Sequence, residues 1–154
     1  MKNSNSVEAF WKEFCRTGSG PGPSDPYQAW YFGDSRALAD ELCDLVLQGK
    51  KKATACLVWE AELDPGSAPV LNGYSVVTDF DGNPRCIIRT REIRVVPFDE
   101  VDERFAAEEG EGDQSLEFWR RVHWDYFSRK CEEMGKEASP AMAVMCERFE
   151  VVYQ

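Results

Sequence analysis

A helical pattern gives way to a strand pattern within one short stretch, Gly49-Lys50-Lys51-Lys52-Ala53-Thr54. Three cations and a hydroxyl sit at that joint. Before it, Leu38, Leu42, Leu45 and Val46 recur at helical spacing, and Asp40, Glu41 and Asp44 fall elsewhere around the helix. Asp34 or Ser35 can cap the first turn, and Gly49 suits the left-handed residue that closes the last. The lysines that follow lie at the negative end of the helix dipole. Neighbouring side chains alternate once the chain is extended, so the three lysines cannot all point one way. The spacing allows Lys51 and Thr54 to face one pocket across the turn.

The rest of the chain is acidic, which narrows what such a pocket can hold. Among 154 residues there are 18 Lys+Arg and 28 Asp+Glu, a net charge of −10. An acidic body is repelled by a phosphate backbone, so duplex DNA is not an expected partner. A short single strand or one nucleotide-like ligand fits a small basic pocket better. No apolar run is long enough to span a membrane, and residues 1–15 do not read as a signal peptide. The six cysteines form no CxxC pair, and His123 is the one histidine. A dedicated metal site is therefore not expected; free, mostly buried thiols in a reducing cytoplasm are.

Val7, Phe10, Trp11 and Phe14 mark a short amphipathic helix with Ser6 as its cap, followed by a Gly/Pro-rich loop over 18–26 that reads as mobile. This divides the chain into an N-terminal helix and flexible loop, 1–26, and a main domain, 27–154. Residues 27–32 read as an aromatic strand, 53–63 as a strand, 74–78 as another, and 85–96 as a longer one after the Asp81-Gly82 hairpin turn. Arg85, Arg89 and Arg91 share strand parity with Ile87 and Ile93. They form either a solvated face with acid partners or part of a basic cleft wall. Residues 98–105 carry one or two helical turns. An acidic loop over 107–113 then leads into a helix from about 115 to 134, whose inner stripe is Leu116, Trp119, Val122 and Tyr126. A last strand runs from 143 to 153. Strands cluster rather than alternate with helices. The expected class is α+β, a mostly antiparallel β-barrel flanked by helices.

Gly49-x-Lys51-x-x-Thr54 resembles the G-x-K-x-x-T signature of ASCH domains, which have a PUA-like barrel. Further stretches are similar to one ASCH subfamily long catalogued as a domain of unknown function. They are Phe32-Gly33-Asp34, Gly73-Tyr74-Ser75-Val76-Val77, the run from Val95 to Asp113 ending in EGEGD, Ser115-Leu116-x-x-Trp119-Arg120-x-x-His123, and Cys146-Glu147-Arg148-Phe149. Asn72 stands where an acid is expected before the Gly-Tyr pair. The resemblance implies a cleft between barrel and helices. It also implies one of two hydrolase activities. One is removal of an acetyl group from acetylcytidine by a Lys, a Thr and a Glu; the other is metal-dependent RNA cleavage. Carried over by motif, the catalytic residues are Lys51, Thr54 and Glu109, with Glu108 and Glu111 close enough in sequence to compete for the third role. Lys52, Phe32, Asp34, Glu111, Arg89 and His123 are expected to contact the ligand, single-stranded RNA or a modified nucleoside. No cofactor is implied beyond Mg²⁺ or Mn²⁺ in the ribonuclease case, where Glu109 with Glu111 or Asp113 would hold the ion. A non-catalytic RNA- or nucleotide-binding module needs only the lysines, the arginine stripe and stacking aromatics such as Trp30, Tyr31 or Trp59.

These residue types suit hydrolysis. Thr54 can attack or hold a water, Glu109 can accept a proton, and Lys51 can either activate Thr54 or stabilise an oxyanion.

Overall fold

The computed structural model describes residues 4–18 and 20–154. Its five strands are β1 (Gln28–Trp30), β2 (Ala53–Leu57), β3 (Tyr74–Thr78), β4 (Pro84–Pro97) and β5 (Ala143–Tyr153), hydrogen-bonded in the order β1-β3-β4-β5-β2. The β1–β3 pair is parallel and the other three are antiparallel. This sheet curls into a half-barrel that is open between its two edge strands, β1 and β2. Five helices surround it: α1 (Ser4–Arg16), α2 (Arg36–Leu47), α3 (Val58–Leu63), α4 (Glu103–Glu109) and α5 (Leu116–Glu133).

The core is built on both faces of the sheet. Val76 and Val77 point to opposite sides, yet both are fully buried. Val76 and Ile87 pack under Val7, Trp11 and Phe14 of α1. Val77, Cys86, Ile88 and Phe149 pack under Leu42, Cys43 and Val46 of α2. A third cluster joins β2 and β5 to Phe105 and Ala106 of α4 and to Trp119, Phe127 and Cys131 of α5. Helix α1 thus shares a core with the domain from which the sequence divides it. Four of the six free cysteines are buried, as their strand and helix patterns imply.

Several boundaries differ from the sequence reading. The strand expected over 53–63 ends at Leu57, and the chain turns into α3, where the Glu60 carboxylate accepts from Leu57 N at 3.0 Å. Ser6 lies inside α1 rather than capping it. On α5 the buried stripe is Trp119, Phe127 and Cys131, whereas Val122 is 37% exposed. The arginine parity is interrupted because Arg85 is the extra β4 residue where the register with β3 shifts at Val77/Thr78, and Arg91 is the extra one where the register with β5 shifts at Thr90/Glu92. In the loop after α1, Ser19 lies outside the described residues, as do residues 1–3. The flanking loop is pinned where Trp11 Nε1 donates to Pro23 O at 3.2 Å.

Candidate functional site

The local sequence after α2 throws Lys51 inward. Ser35 caps the helix by accepting from Leu38 N at 3.2 Å, and Gly49 takes φ +77° just beyond its end. Lys50 N and Lys51 N then both donate to Leu45 O, at 2.9 and 3.1 Å, folding the chain back over the helix terminus. Lys50 and Lys52 stay exposed, while Lys51 is 2% exposed.

Buried ammonium groups require partners, and Lys51 has two carboxylates. Its Nζ donates to Glu109 Oε2 at 2.6 Å, Glu111 Oε2 at 3.1 Å and Glu109 O at 3.3 Å, which engages all three of its protons. Glu109 is the last residue of α4, not a member of a free loop. Gly110 follows it at φ +73°, and a Cβ there would meet Lys50 O at 2.3 Å. Only glycine allows the two chain segments to touch at this point. Gly110→Ala should therefore cost about 1–3 kcal/mol for backbone conformation alone, with the clash in addition, and thermal melts should show it.

Helix α5 completes the cluster. Trp119 Nε1 donates to Glu109 Oε1 at 3.2 Å, and His123 Nε2 lies 3.4 Å from the same oxygen. His123 Nδ1 is 2.9 Å from Trp119 O. A carbonyl only accepts, so Nδ1 carries the proton. The ring stacks on Trp119 with centroids 4.1 Å apart.

The electrostatics separate the acids. Burial works against the charge on Glu109, but Lys51 and then His123 outweigh it and hold the carboxyl well below its ordinary range. Burial likewise opposes the Lys51 ammonium, and Glu109 and Glu111 reverse that and raise it. His123 is raised despite burial, chiefly by Glu109. Glu111 is pushed up to about 7 by burial, with Lys51 opposing and Glu109 reinforcing the rise. Glu109 is thus a fixed anion, and Glu111 is the group that exchanges a proton near neutrality.

These groups open onto a cavity of about 490 Å³, within the range of about 300–1,000 Å³ for small-molecule sites. Lys51, Thr54, Glu109, Glu111 and His123 line it together with the aromatic run Trp30, Tyr31 and Phe32, and with Arg121, Tyr126 and Arg129 from α5. It occupies the gap between the edge strands, where the half-barrel is open. The Thr54 hydroxyl has no hydrogen-bond partner among the described residues.

Some expected contacts are placed elsewhere. Arg89 is outside the lining, with Nε donating to Asn72 O at 3.1 Å and its guanidinium over the Tyr74 ring at 5.0 Å. Arg91 pairs with Glu150 and Arg85 with Asp44, so these two arginines have acid partners outside the cavity rather than forming its wall. Asp34 reaches the cavity indirectly by pairing with Arg129 at 3.0 Å. Glu108 is turned away into an ion pair with Arg148. Asp113 caps the start of α5 through Ser115 N at 2.9 Å, and Trp59 packs against the α4–α5 core. Trp119, Arg121, Tyr126 and Arg129 were not singled out from sequence as site residues. For Trp119 a signal exists: its i, i+4 spacing from His123 on one helix.

Glu109, Glu111 and His123 offer ligand atoms within 4.8 Å of one another. The Glu109 oxygens already serve Lys51 and Trp119, and Glu111 Oε2 serves Lys51, so a dication there would meet a buried ammonium. The donor set does not suit Mg²⁺ or Mn²⁺, and no step is assigned to a metal.

The sequence model of the ASCH domain matches residues 28–153. The chain belongs to the ASCH domain family. An ASCH domain crystal structure from Lactobacillus crispatus JV V101 is 31% identical, covers all of both chains and superposes with a TM-score of 0.90. Protein EF3133 from Enterococcus faecalis V583, of the DUF984 family, is 29% identical over 97% of this chain and 89% of its own, with a TM-score of 0.86. The hypothetical protein PH0355 is 16% identical over 82% of this chain and 100% of its own, and its TM-score of 0.56 shows a shared fold alone. No curated protein matches the chain. No helix among the described residues of this ASCH protein is long and apolar enough to cross a membrane.

Proposed function

We propose that this ASCH protein hydrolyses an acyl amide on a nucleobase, taken as a modified nucleoside or as an unpaired base of single-stranded RNA. The observation that carries the reading is the buried Lys51–Glu109–Glu111 cluster at the floor of an aromatic-walled cavity, beside a Thr54 hydroxyl that has no partner among the described residues. Trp30, Tyr31 and Tyr126 offer faces for a base. Thr54 Oγ attacks the amide carbon. Lys51, locked as an ammonium, is no base; it stabilises the oxygen on which negative charge develops. Neutral Glu111 relaxes its hold on one Lys51 proton, freeing it for that oxygen, and donates its own proton to the departing nitrogen. Glu109 holds Lys51 in place and takes no part in proton transfer.

The engaged ligand atoms of the Glu109 cluster weigh against a metal-dependent ribonuclease, and the net charge of −10 weighs against long polyanions. The test is to incubate the protein with acetylcytidine and, separately, with a short RNA, each with and without Mg²⁺ or Mn²⁺. The expected result is metal-independent release of acetate and cytidine. That release should fall at least 100-fold in Thr54→Val, whose circular dichroism should be unchanged. Metal-dependent RNA cleavage, or binding without turnover, would overturn the reading.

A further inference from the structure

Thr54 has a second side. Behind it lies a smaller hollow of about 150 Å³, which shares Trp30, Thr54 and Ala55 with the ligand cavity and is otherwise lined by Gln28, Ser75 and Glu147 among others. Thr54 and Glu147 are direct partners in the antiparallel β2–β5 register. Their side chains therefore leave the sheet on the same face, with Cβ atoms about 5 Å apart.

Glu147 is an unusual residue to find there. It is 7% exposed and makes no ion pair among the described residues. One oxygen accepts from Thr90 Oγ1 at 2.5 Å, and the other has no partner among the described residues. Buried polar atoms in a roomy hollow hold water when two to four of them converge. The free oxygen of Glu147, the Thr54 hydroxyl and the Ser75 hydroxyl supply them. Gln28 adds a carbonyl oxygen, because its Nε2 is spent on Gly66 O at 3.1 Å and Ala68 O at 2.8 Å. Gln28 and Ser75 also border a further hollow of about 280 Å³, lined by Thr90 as well, which shares no lining residue with the ligand cavity.

We propose that the smaller hollow is a water chamber, and that Glu147 takes the Thr54 proton through a water held between them. The inference rests on the acyl-amide reading and adds the acceptor that reading lacks, since Glu109 is a fixed anion and Glu111 is the donor. The proton balance closes. As the Thr54 Oγ–carbon bond forms, its proton passes through the water to Glu147. The C–N bond then breaks, Glu111 protonates the nitrogen, and the free amine leaves acyl-Thr54 behind. Water attacks that acyl carbon and gives its proton to Glu111. The C–O bond to Thr54 breaks, and Glu147 returns its proton to the hydroxyl. Burial raises Glu147, with the Thr90 hydrogen bond and then Lys51 opposing the rise; the acid limb of a pH–rate profile therefore belongs to Glu147.

The test uses p-nitrophenyl acetate as well as acetylcytidine, with acyl-Thr54 followed by intact mass. Glu147→Gln should slow acylation by both at least 100-fold. Thr90→Val is the second variant, because Thr90 is absent from the ligand cavity. Losing its hydrogen bond should move the acid limb up by about one pH unit with KM unchanged. A merely structural Glu147 would leave that limb in place, and an unmoved limb overturns the inference. Ester acylation that is sensitive to Glu147 without turnover of acetylcytidine overturns the substrate reading alone. Turnover of acetylcytidine unaffected by Glu147→Gln overturns the water chamber alone. Neither turnover nor acylation in the wild type overturns both.

Discussion

Lys51→Met should destabilise the protein by about 3–5 kcal/mol, the cost of stripping a buried charge of its partner, and should abolish hydrolysis. Lys51 is 2% exposed and Glu109 1%. Without the ammonium, Glu109 keeps Trp119 Nε1 and His123 but loses its shortest contact, the 2.6 Å bond to Nζ. Glu111 loses its only cation at hydrogen-bonding distance among the described residues. The double variant Lys51→Met with Glu109→Gln should recover much of the stability, because it removes the orphaned charge, and none of the activity. Lys50→Ala and Lys52→Ala should each change stability by less than about 0.5 kcal/mol, as exposed substitutions do. Urea unfolding of the four proteins checks this. If all three lysines prove equivalent, the run is a generic basic patch.

The second large effect is with pH. Glu111 is raised in the folded chain from 4.5 to about 7. A carboxyl whose folded value is raised contributes stability that is fully present below its unfolded value and lost as pH rises through its folded one. The decline attached to Glu111 therefore begins near pH 4.5 and is complete just above 7. It amounts to roughly 3 kcal/mol at 1.36 kcal/mol per pH unit. His123, also raised, works in the same direction above its ordinary 6.5. Glu109 is depressed, so its contribution is present above 4.5 and lost as pH falls below it. From these three groups thermal stability should peak at about pH 4.5 to 5 and fall from there toward pH 8. In Glu111→Gln the fall toward pH 8 should flatten by about the Glu111 share. Hydrolysis needs the neutral Glu111, so the basic limb of the rate profile should lie near pH 7 and disappear with that variant. A stability curve in Glu111→Gln that still falls as steeply would assign the titration to His123.

Local sequence determined a good deal. The helical spacing of Leu38 to Val46, the Gly49 stop and the Asp81-Gly82 turn depend on contacts within a few residues, and they lie where they were expected. The alternation rule for an extended chain limits how many of three adjacent lysines can turn inward, and the structure buries Lys51 while leaving its neighbours exposed. The G-x-K-x-x-T spacing and the accompanying stretches were enough to indicate the ASCH fold.

Other features depended on partners distant in sequence. Glu60 and the α5 core convert the end of a β-like run into α3, and bulges at Arg85 and Arg91 take those arginines out of the β4 alternation. Which acid matters was not legible, because Glu108, Glu109 and Glu111 are chemically alike along the chain. Gly110 pressing on Lys50 O, and Arg148 drawing Glu108 away, decide it. The division of labour between Glu109 and Glu111 follows from burial and from the number of donors each meets, which only the packed α4–α5 corner sets. Glu147 is one acid of a terminal strand in the sequence. Its place opposite Thr54 exists only once β2 has paired with β5 across roughly ninety residues of chain.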